Sequence, residues 1–236
     1  APAPELPRAP APELPRAPDA CSSFGAAIVV GRPMRHGPPA FLTEDALREP
    51  LRQLLTQREP MLPDGFPGTP AAVLVPLFAR SDGVHVWFVR RPSRMRAHAG
   101  QVAFPGGKRD AADASLRVTA LRETHEEIGF APEHIDVLGA LDAFPTITGY
   151  VITPYVGWVP AHLEPVPSAD EVDRVFSVPL RRFLDEPDKV PAVITGSGYL
   201  VDGEVIWGAT AAVAWDLGVC VRRALESAAA LRPAGT

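Results

Sequence analysis

The sequence predicts an α/β/α sandwich, in which helices cover both faces of a mixed β-sheet. Three observations favour this fold class. Short segments rich in β-branched and aromatic residues recur through the chain. Helical periodicity marks a stretch before these segments and another after them. A further helical stretch interrupts the strands near the middle of the chain, and such an order is typical of helices layered on both sides of one sheet.

The first predicted elements are an amphipathic helix and a strand pair. Residues 44–57 form the helix, because four leucines recur on one side of it: Leu47, Leu51, Leu54 and Leu55. Residues 71–79 and 84–91 have strand composition, and Ser81-Asp82-Gly83 between them is typical of a hairpin turn.

Beyond the middle of the chain, the sequence predicts more strands and a closing helix. Strand composition recurs at residues 137–141, 150–159 and 172–178, and in a hairpin over residues 193–206. Asp202-Gly203 supplies the turn of that hairpin. Residues 210–231 form a long helix that we expect to be weakly interrupted at Gly218.

The N-terminus differs in composition from the rest of the chain. Residues 3–10 read Ala-Pro-Glu-Leu-Pro-Arg-Ala-Pro and recur as residues 11–18. Proline at this density prevents helices and central strands and favours extended polyproline II. We therefore interpret residues 1–38 as a flexible Pro-rich tail and residues 39–236 as one folded domain that includes the C-terminal helix. A docking peptide for a proline-binding partner is the alternative interpretation of the tail.

Composition narrows the class of function. A chain of 236 residues that is 46% hydrophobic suits one domain with a sizeable core plus a tail. Its net charge of −5 argues against a general nucleic-acid binder, and no apolar run approaches the ~20 residues that span a membrane. Cys21 and Cys220 lack metal-ligand spacing, which favours reduced thiols in a cytoplasmic protein.

The central helix has recognisable limits and two faces. Asp113 or Ser115 can cap its start, and Gly129 can end it in the left-handed conformation. At about 100° per residue, the glutamates near its end share one face. The apolar residues point the other way, toward the expected core: Val118, Leu121 and Ile128.

The glutamate face is costly unless a cation binds to it. Glu123, Glu126 and Glu127 repel one another at helical spacing and face the negative end of the helix dipole. Arg122 can pair with Glu126, but one arginine cannot neutralise three carboxylates. Oxygen ligands select a hard ion such as Mg²⁺ or Mn²⁺. A solvated acidic helix face is the alternative, and the adjacent Gly106-Gly107 turn, where a backbone can approach a ligand closely, favours the ion.

These residues resemble the Nudix hydrolase family. Its signature is G-x(5)-E-x(7)-R-E-U-x-E-E-x-G-U, where U is a bulky apolar residue, and residues 122–130 fit its second half. Asp113 replaces the early glutamate, the segment from there to Arg122 is one residue longer, and Thr124 replaces a larger apolar residue. The resemblance implies the Nudix α/β/α fold and a bound Mg²⁺ or Mn²⁺. It assigns the catalytic and metal-binding roles to Arg122, Glu123, Glu126, Glu127 and the Gly107 carbonyl.

A second stretch, residues 88–107, is similar to the motif of Nudix coenzyme A pyrophosphatases, L-L-T-x-R-S-x-x-L-x-x-H-x-G followed by F-P-G-G. Arg91, His98, Gly100 and residues 104–107 match, whereas Val89, Pro92 and Met95 depart from Thr, Ser and Leu. Residues 146–154 also resemble this subfamily. The resemblance implies hydrolysis of coenzyme A or its thioesters to 3′,5′-ADP and 4′-phosphopantetheine or its acyl derivative.

Cations before the acidic helix are candidates for substrate contact. Arginine forks bind phosphate oxygens in bidentate fashion, although basic residues of a loop are often only solvated. The candidate substrate ligands are Arg91, Arg94, Arg96, His98, Gly106 and Lys108, with Arg90 in the same basic cluster. Downstream, Glu171 is a candidate base or extra metal ligand, and a simple strand-edge charge is the alternative.

Two other functions stay open at this point. The first is a Nudix hydrolase of another nucleoside diphosphate derivative, such as ADP-ribose or a damaged nucleotide. The second is a Nudix-like binding module without catalysis, although such a module has no physical reason to keep a repulsive glutamate cluster. We expect a small nucleotide of the coenzyme A type as the partner, and a homodimer also stays open.

Overall fold

A mixed β-sheet with helices on both faces forms the centre of the protein. The computed structural model describes residues 42–61, 67–94, 99–190 and 196–231. The predicted tail and its boundary at residues 38 and 39 lie outside them, as does Cys21. Within the described residues, the helices are α1 (Glu44–Gln57), α2 (Leu116–Ile128) and α3 (Gly208–Ala230). Among these helices, none has the length and apolar composition needed to cross a membrane.

The main sheet contains eight strands in the described part of the chain. They are β1 (Thr69–Arg80), β2 (Gly83–Arg90), β3 (Val102–Ala103), β4 (Gly106–Lys108), β5 (Asp136–Ala140), β6 (Phe144–Pro145), β7 (Tyr150–Trp158) and β8 (Arg174–Pro179). The order β3-β2-β1-β7-β5 is extended by β4 on β1, β6 on β7 and β8 on β2. Only the β1–β7 pair is parallel, so the sheet is mixed as predicted.

The register of β1 explains where the glycine turn lies. Strand β2 pairs with the last residues of β1, from Leu77 to Arg80. Strand β4 pairs with its first residues, from Ala71 to Val73. The segment that carries β3 and β4 therefore runs between the two strands of the hairpin, and it places Gly106 and Gly107 beside the middle of the sheet.

Alternate residues of β1 enter two separate cores, as strand geometry requires. Val75 and Leu77 join the core beneath α1 and α3, whereas Ala72 and Leu74 join the core beneath α2. The α/β/α sandwich is confirmed. The leucine face predicted for α1 is confirmed as well, since three of its leucines are buried and the fourth packs against them: Leu47, Leu51, Leu55 and Leu54.

A second, three-stranded sheet follows the first. Its strands are β9 (Asp188–Lys189), β10 (Ser197–Val201) and β11 (Glu204–Trp207). The predicted hairpin over Asp202-Gly203 is confirmed, with φ of 48° and 81° at the two turn residues. Positive φ at both positions is what a two-residue hairpin turn demands. The first predicted hairpin and the longer strands are also confirmed, whereas the two- and three-residue strands were not predicted.

The buried face of α2 differs from the predicted one. Val118 was expected in the core, but 41% of its surface is exposed. Ile128 is buried as predicted, together with residues that were not expected there: Thr119, Ala120, Thr124 and Glu127. The small residues Ala120 and Thr124 let α2 approach β1 and β4 closely, which turns Val118 outward. Thr124 satisfies its buried hydroxyl by donating to the Ala120 carbonyl at 2.7 Å.

Helix α3 continues through Gly218 without the expected interruption. A β-carbon built at this position would lie 1.9 Å from the carbonyl oxygen of Phe183. The glycine therefore serves close packing of α3 on the 3₁₀ turn at Leu180–Phe183. Cys220, two residues later, is a buried free thiol.

Gly218→Ala should destabilise the protein, although alanine normally stabilises a helix interior by about 0.5–1 kcal/mol relative to glycine. The added methyl group overlaps a backbone oxygen, and such overpacking costs about 1–3 kcal/mol. Thermal unfolding followed by circular dichroism should show a midpoint several degrees lower. Ser227→Ala, at an exposed position of the same helix, is the control and should leave the midpoint nearly unchanged. A higher midpoint for Gly218→Ala would contradict the packing explanation.

Candidate functional site

The glycine turn touches the carboxylates of α2 directly. The backbone N–H of Gly106 donates to Glu127 Oε2 at 3.1 Å. A β-carbon at Gly106 would lie 2.4 Å from the Ala72 carbonyl oxygen, and its φ of 152° also disfavours other residues. A β-carbon at Gly107 would lie 2.5 Å from Glu123 Oε2. Gly106 is therefore required for β4 to pair with β1, and the absence of a side chain at Gly107 leaves room for the Glu123 carboxylate.

Local signals set the limits of α2 as predicted. Ser115 is the N-cap, and its Oγ accepts from the Val118 N–H at 3.3 Å. Gly129 is left-handed with φ of 77°, and its N–H donates to the His125 carbonyl at 2.9 Å. Of the two predicted capping candidates, Ser115 is the cap and Asp113 has another role.

The Asp113 carboxylate fixes the position of the Arg122 guanidinium. The Asp113 side chain is buried and accepts from Arg122 Nε at 3.1 Å and Arg122 Nη2 at 3.0 Å. The Asp110 N–H and the Thr119 hydroxyl each donate to it at 2.9 Å. These bonds, led by those from Arg122, hold the pKa of the Asp113 carboxyl well below its ordinary value. Sequence reasoning identified this acid only as a cap or as the replaced early glutamate.

Arg122 gathers the other acidic side chains of the helix. It lies 2.8 Å from Glu126 Oε2, the pair predicted from the sequence, and 2.9 Å from Glu123 Oε1. Its Nη2 also lies 3.4 Å from the Lys108 carbonyl. The surrounding carboxylates, with Asp113 first, raise the pKa of the Arg122 guanidinium above its ordinary value. This guanidinium thus lies within 3.0 Å of Asp113, Glu123 and Glu126, whereas the charge count from the sequence concerned Glu123, Glu126 and Glu127.

The carboxyl group of Glu127 is buried and has few partners that stabilise its charge. Only 2% of its surface is exposed, and burial raises its pKa to about 8 against the opposing effects of the Gly106 N–H and Arg91. Burial also raises the pKa of Glu123, with Glu126 and Glu171 adding to the effect against Arg122. The turn and the helix end therefore form a cluster of carboxyl groups in which Glu127 is buried and Glu123 is partly buried, and a bound cation would favour their charged forms.

Arg91 lies beside this cluster, and one of its guanidinium N–H donors has no partner among the described residues. Its Nη1 lies 3.7 Å from Glu127 Oε1, which is longer than a good hydrogen bond. Its Nε is buried and has no hydrogen-bond partner in the described part of the chain. The backbone of Arg91 is fixed, because its N–H donates to the Gln101 carbonyl at 3.0 Å and its carbonyl accepts from Gly100 at 3.1 Å. Buried unpaired donors are costly, so this one indicates a missing anionic partner.

The loop between β7 and β8 brings Glu171 to the same place. The N–H groups of Val166 and Ser168 donate to the last carbonyls of α2, those of Ile128 and Glu127, each at 2.9 Å. The exposed Glu171 donates its N–H to the Ser168 carbonyl at 3.2 Å. The downstream glutamate therefore lies on a loop that is hydrogen-bonded to the end of α2, and its role as base or extra ligand stays a prediction.

The other predicted substrate ligands are placed differently. Arg90 is held by Asp173 Oδ2, 3.0 Å from its Nε, and by Glu204 at 3.1 Å. Arg94 donates to the Ala169 carbonyl at 2.6 Å. The side chain of Lys108 is exposed, and its carbonyl faces Arg122. Arg96 and His98 lie outside the described residues, so their predicted roles stay predictions.

The chemistry of the donors fits a hard divalent ion, although the ligand set is not assembled. Oxygen donors from buried, electrostatically strained carboxylates are what Mg²⁺ and Mn²⁺ prefer. Among the residues that the structure describes, no three His, Cys, Asp or Glu side chains are arranged to hold an ion together. Arg122 engages Glu123 and Glu126 in this arrangement.

Comparison with known proteins agrees with the motif. The family model described as NUDIX domain matches residues 68–193. A protein from Enterobacter sp. (strain 638) named "Uncharacterized Nudix hydrolase NudL" is 40% identical over 156 residues, which cover 62% of this chain and 80% of that protein. A protein of the same name from Citrobacter koseri is 46% identical over 114 residues, covering 48% of this chain and 59% of its own length.

Solved structures of similar fold are more distant in sequence. A crystal structure of a Nudix hydrolase from M. smegmatis, RenU, is 17% identical and has a TM-score of 0.46. The match covers 74% of this chain and 100% of that one. A Nudix hydrolase from Alicyclobacillus acidocaldarius is 23% identical, with a TM-score of 0.45 and coverage of 67% and 95% respectively.

The two glycines of the turn should respond differently to alanine. Gly106→Ala forces a β-carbon against backbone atoms at positive φ, and we expect a loss of stability of about 2 kcal/mol or more, measured by thermal or urea unfolding. Gly107→Ala meets only the flexible end of Glu123, so the fold should persist with little loss. Displacing that carboxylate should nevertheless weaken Mn²⁺ binding in titration calorimetry. Equal stability losses in the two variants would contradict this assignment.

Glu127→Gln should remove a pH dependence of stability in the metal-free protein. The pKa of Glu127 is raised from 4.5 to about 8 in the folded state, so the wild type should lose stability as pH rises between those values. The loss should be on the order of 3 kcal/mol. Urea unfolding at pH 5 and pH 9 with chelator measures it, and glutamine at this position should flatten the difference. Glu126→Gln, a half-exposed control on the same helix, should retain the slope; identical slopes in wild type and Glu127→Gln would sink the claim.

Proposed function

We propose that this chain, which belongs to the Nudix hydrolase family, hydrolyses the diphosphate bond of coenzyme A or its thioesters. As a Nudix hydrolase it acts on nucleoside diphosphate derivatives, and the coenzyme A substrate is the finer part of the proposal. Its products would be 3′,5′-ADP and 4′-phosphopantetheine or the acyl derivative. A cytoplasmic location and a homodimeric state stay predictions.

One observation carries the proposal: Arg91 presents an unpaired buried Nε beside Glu127 and the Gly106-Gly107 turn. Arg91 and the glycine turn are both matched positions of the coenzyme A pyrophosphatase motif. A diphosphate oxygen would satisfy the unpaired Nε–H donor. A guanidinium suits such a ligand because it can donate to two phosphate oxygens at once. The carboxylates of α2 next to Arg91 would repel the same diphosphate unless a cation lay between them.

The proposed metal ligands are Glu123, Glu126, Glu127 and the Gly107 carbonyl. When bound, Mg²⁺ or Mn²⁺ supplies neutralisation of the diphosphate charge, polarisation of the P–O bonds and a lower pKa for an attacking water. The donor set fits such an ion because its members are oxygens whose negative charge is under-compensated by Arg122 and Arg91.

The protein's own groups divide the remaining work. Arg122, fixed by Asp113, orients Glu123 and Glu126. Arg91 binds the diphosphate and holds it against the glycine turn. A water oxygen attacks one phosphorus, the bridging P–O bond breaks, and a carboxylate accepts the proton of the water. That carboxylate is Glu171 or a member of the helix cluster, and the bridging oxygen leaves as part of the second phosphate.

The test is incubation with coenzyme A, acetyl-coenzyme A and ADP-ribose under Mg²⁺ or Mn²⁺, with mass analysis of the products. We expect 3′,5′-ADP and a phosphopantetheine product from the coenzyme A compounds, and none in the presence of a chelator. Glu127→Gln should abolish turnover while circular dichroism shows an intact fold. Faster turnover of ADP-ribose than of coenzyme A would remove the preferred substrate. No turnover of any diphosphate would remove the enzymatic proposal.

A further inference from the structure

A single arginine joins the two segments that flank the acidic end of α2. Arg94 lies in the segment that follows β2, three residues after Arg91. Its Nη2 donates to the Ala169 carbonyl at 2.6 Å and lies 3.4 Å from the Asp170 carbonyl. Both carbonyls belong to the loop between β7 and β8, immediately before Glu171. Arg94 thus spans from the segment of the proposed substrate ligands to the segment of the downstream glutamate.

The loop around Glu171 forms a compact turn. The Ser168 N–H is held by the Glu127 carbonyl at 2.9 Å. The Ser168 carbonyl in turn accepts from Glu171 at 3.2 Å and Val172 at 2.9 Å. Residues 168–172 are therefore closed by their own hydrogen bonds, hydrogen-bonded to the end of α2 through Ser168 and anchored in the core by Val172. Arg94 adds an attachment on the part of the turn that precedes Glu171.

The carbonyl contact is the part of this link that matters. The Asp170 carboxylate lies 3.9 Å from Arg94 and is fully exposed, and 64% of the Arg94 side chain is exposed as well. An exposed ion pair of this kind contributes little. A charged donor on a carbonyl at 2.6 Å is a stronger, directional bond. The hydrogen bond from Arg94 reduces the conformational freedom of this surface turn. The carboxylate of Glu171 therefore has a narrower range of positions.

We propose that Arg94 is a positioning residue, which holds the turn of residues 168–172 so that Glu171 stays next to the carboxyl end of α2. This replaces its predicted role as a phosphate ligand. The inference rests on the proposed function, since a placed Glu171 matters only if the carboxylate cluster performs hydrolysis. Arg91 and Arg94 then divide the work, with Arg91 facing the substrate and Arg94 fixing the loop.

The test is a double-mutant cycle with coenzyme A and Mg²⁺, repeated with ADP-ribose. Arg94→Ala should lower kcat about tenfold, because small displacements of a reacting group can cost up to about 10²-fold. KM should change by less than about twofold, as expected when no substrate contact is lost. Arg94→Ala should have no further effect in a Glu171→Gln background. Arg94→Lys should recover part of the rate, since an ammonium group can still donate to one carbonyl.

A second readout does not depend on turnover. Hydrogen exchange measured by mass spectrometry should show faster exchange at residues 168–172 in Arg94→Ala than in the wild type. Arg223→Ala, which removes an exposed arginine of α3, is the matched control and should keep wild-type rates and exchange. Unchanged exchange in Arg94→Ala overturns the proposal. So does a large rise in KM or an additive effect with Glu171→Gln, either of which would indicate direct phosphate binding.

Failure of the proposed function is distinguishable from failure of this inference. A wild-type protein that turns over neither coenzyme A nor ADP-ribose removes the function and, with it, the kinetic role of Arg94. The exchange measurement still decides whether Arg94 holds the turn. Turnover that is normal in the wild type and unaffected in Arg94→Ala overturns the positioning role alone.

Discussion

The contact between a glycine turn and two buried carboxylates is the constraint on which the rest of the site depends. Gly106 donates its N–H to Glu127, and Gly107 leaves only enough room for the end of Glu123. A β-carbon at Gly106 would force β4 away from β1, and one at Gly107 would displace the carboxylate of Glu123. The fold meets this demand by inserting β4 against the first half of β1, where the hairpin strand β2 no longer pairs. The pairing of β4 with β1 therefore determines where the glycine turn meets the carboxylates of the site.

The charges at this contact are unbalanced in a way that folding alone does not explain. Asp113 and Arg122 form a satisfied buried pair with short bonds on both sides. Glu127 has instead a single backbone donor and a distant guanidinium, so burial dominates and its pKa rises. A protein selected only for stability would gain from an apolar side chain there. Retaining the carboxylate beside an unpaired arginine donor is consistent with a ligand that carries both a cation and anionic oxygens.

The two cores allow the fold to tolerate this cost. The core beneath α1 and α3 includes Leu47, Leu77 and Leu217, and it takes no part in the site. The core beneath α2 holds the helix against the sheet through Ala120 and Ile128. The site lies at the end of that second layer, where the loop of Glu171 hydrogen-bonds to the last carbonyls of α2.

The sequence by itself determined every feature whose cause is local. The bounds of α1, the left-handed Gly129 and both hairpin turns follow from periodicity and from residues that act on their immediate neighbours, and the cap of α2 was narrowed to Asp113 or Ser115. The family and its glutamate cluster follow from a motif contained in one helix. Only the tertiary structure decided that Val118 faces solvent, that Asp113 anchors Arg122, and that Gly218 packs on the Phe183 carbonyl. It also decided that Arg94 contacts Ala169 and that the loop carrying Glu171 hydrogen-bonds to the end of α2. Most of these contacts join residues far apart in the chain, and all of them depend on how separate elements pack, which periodicity and spacing do not encode.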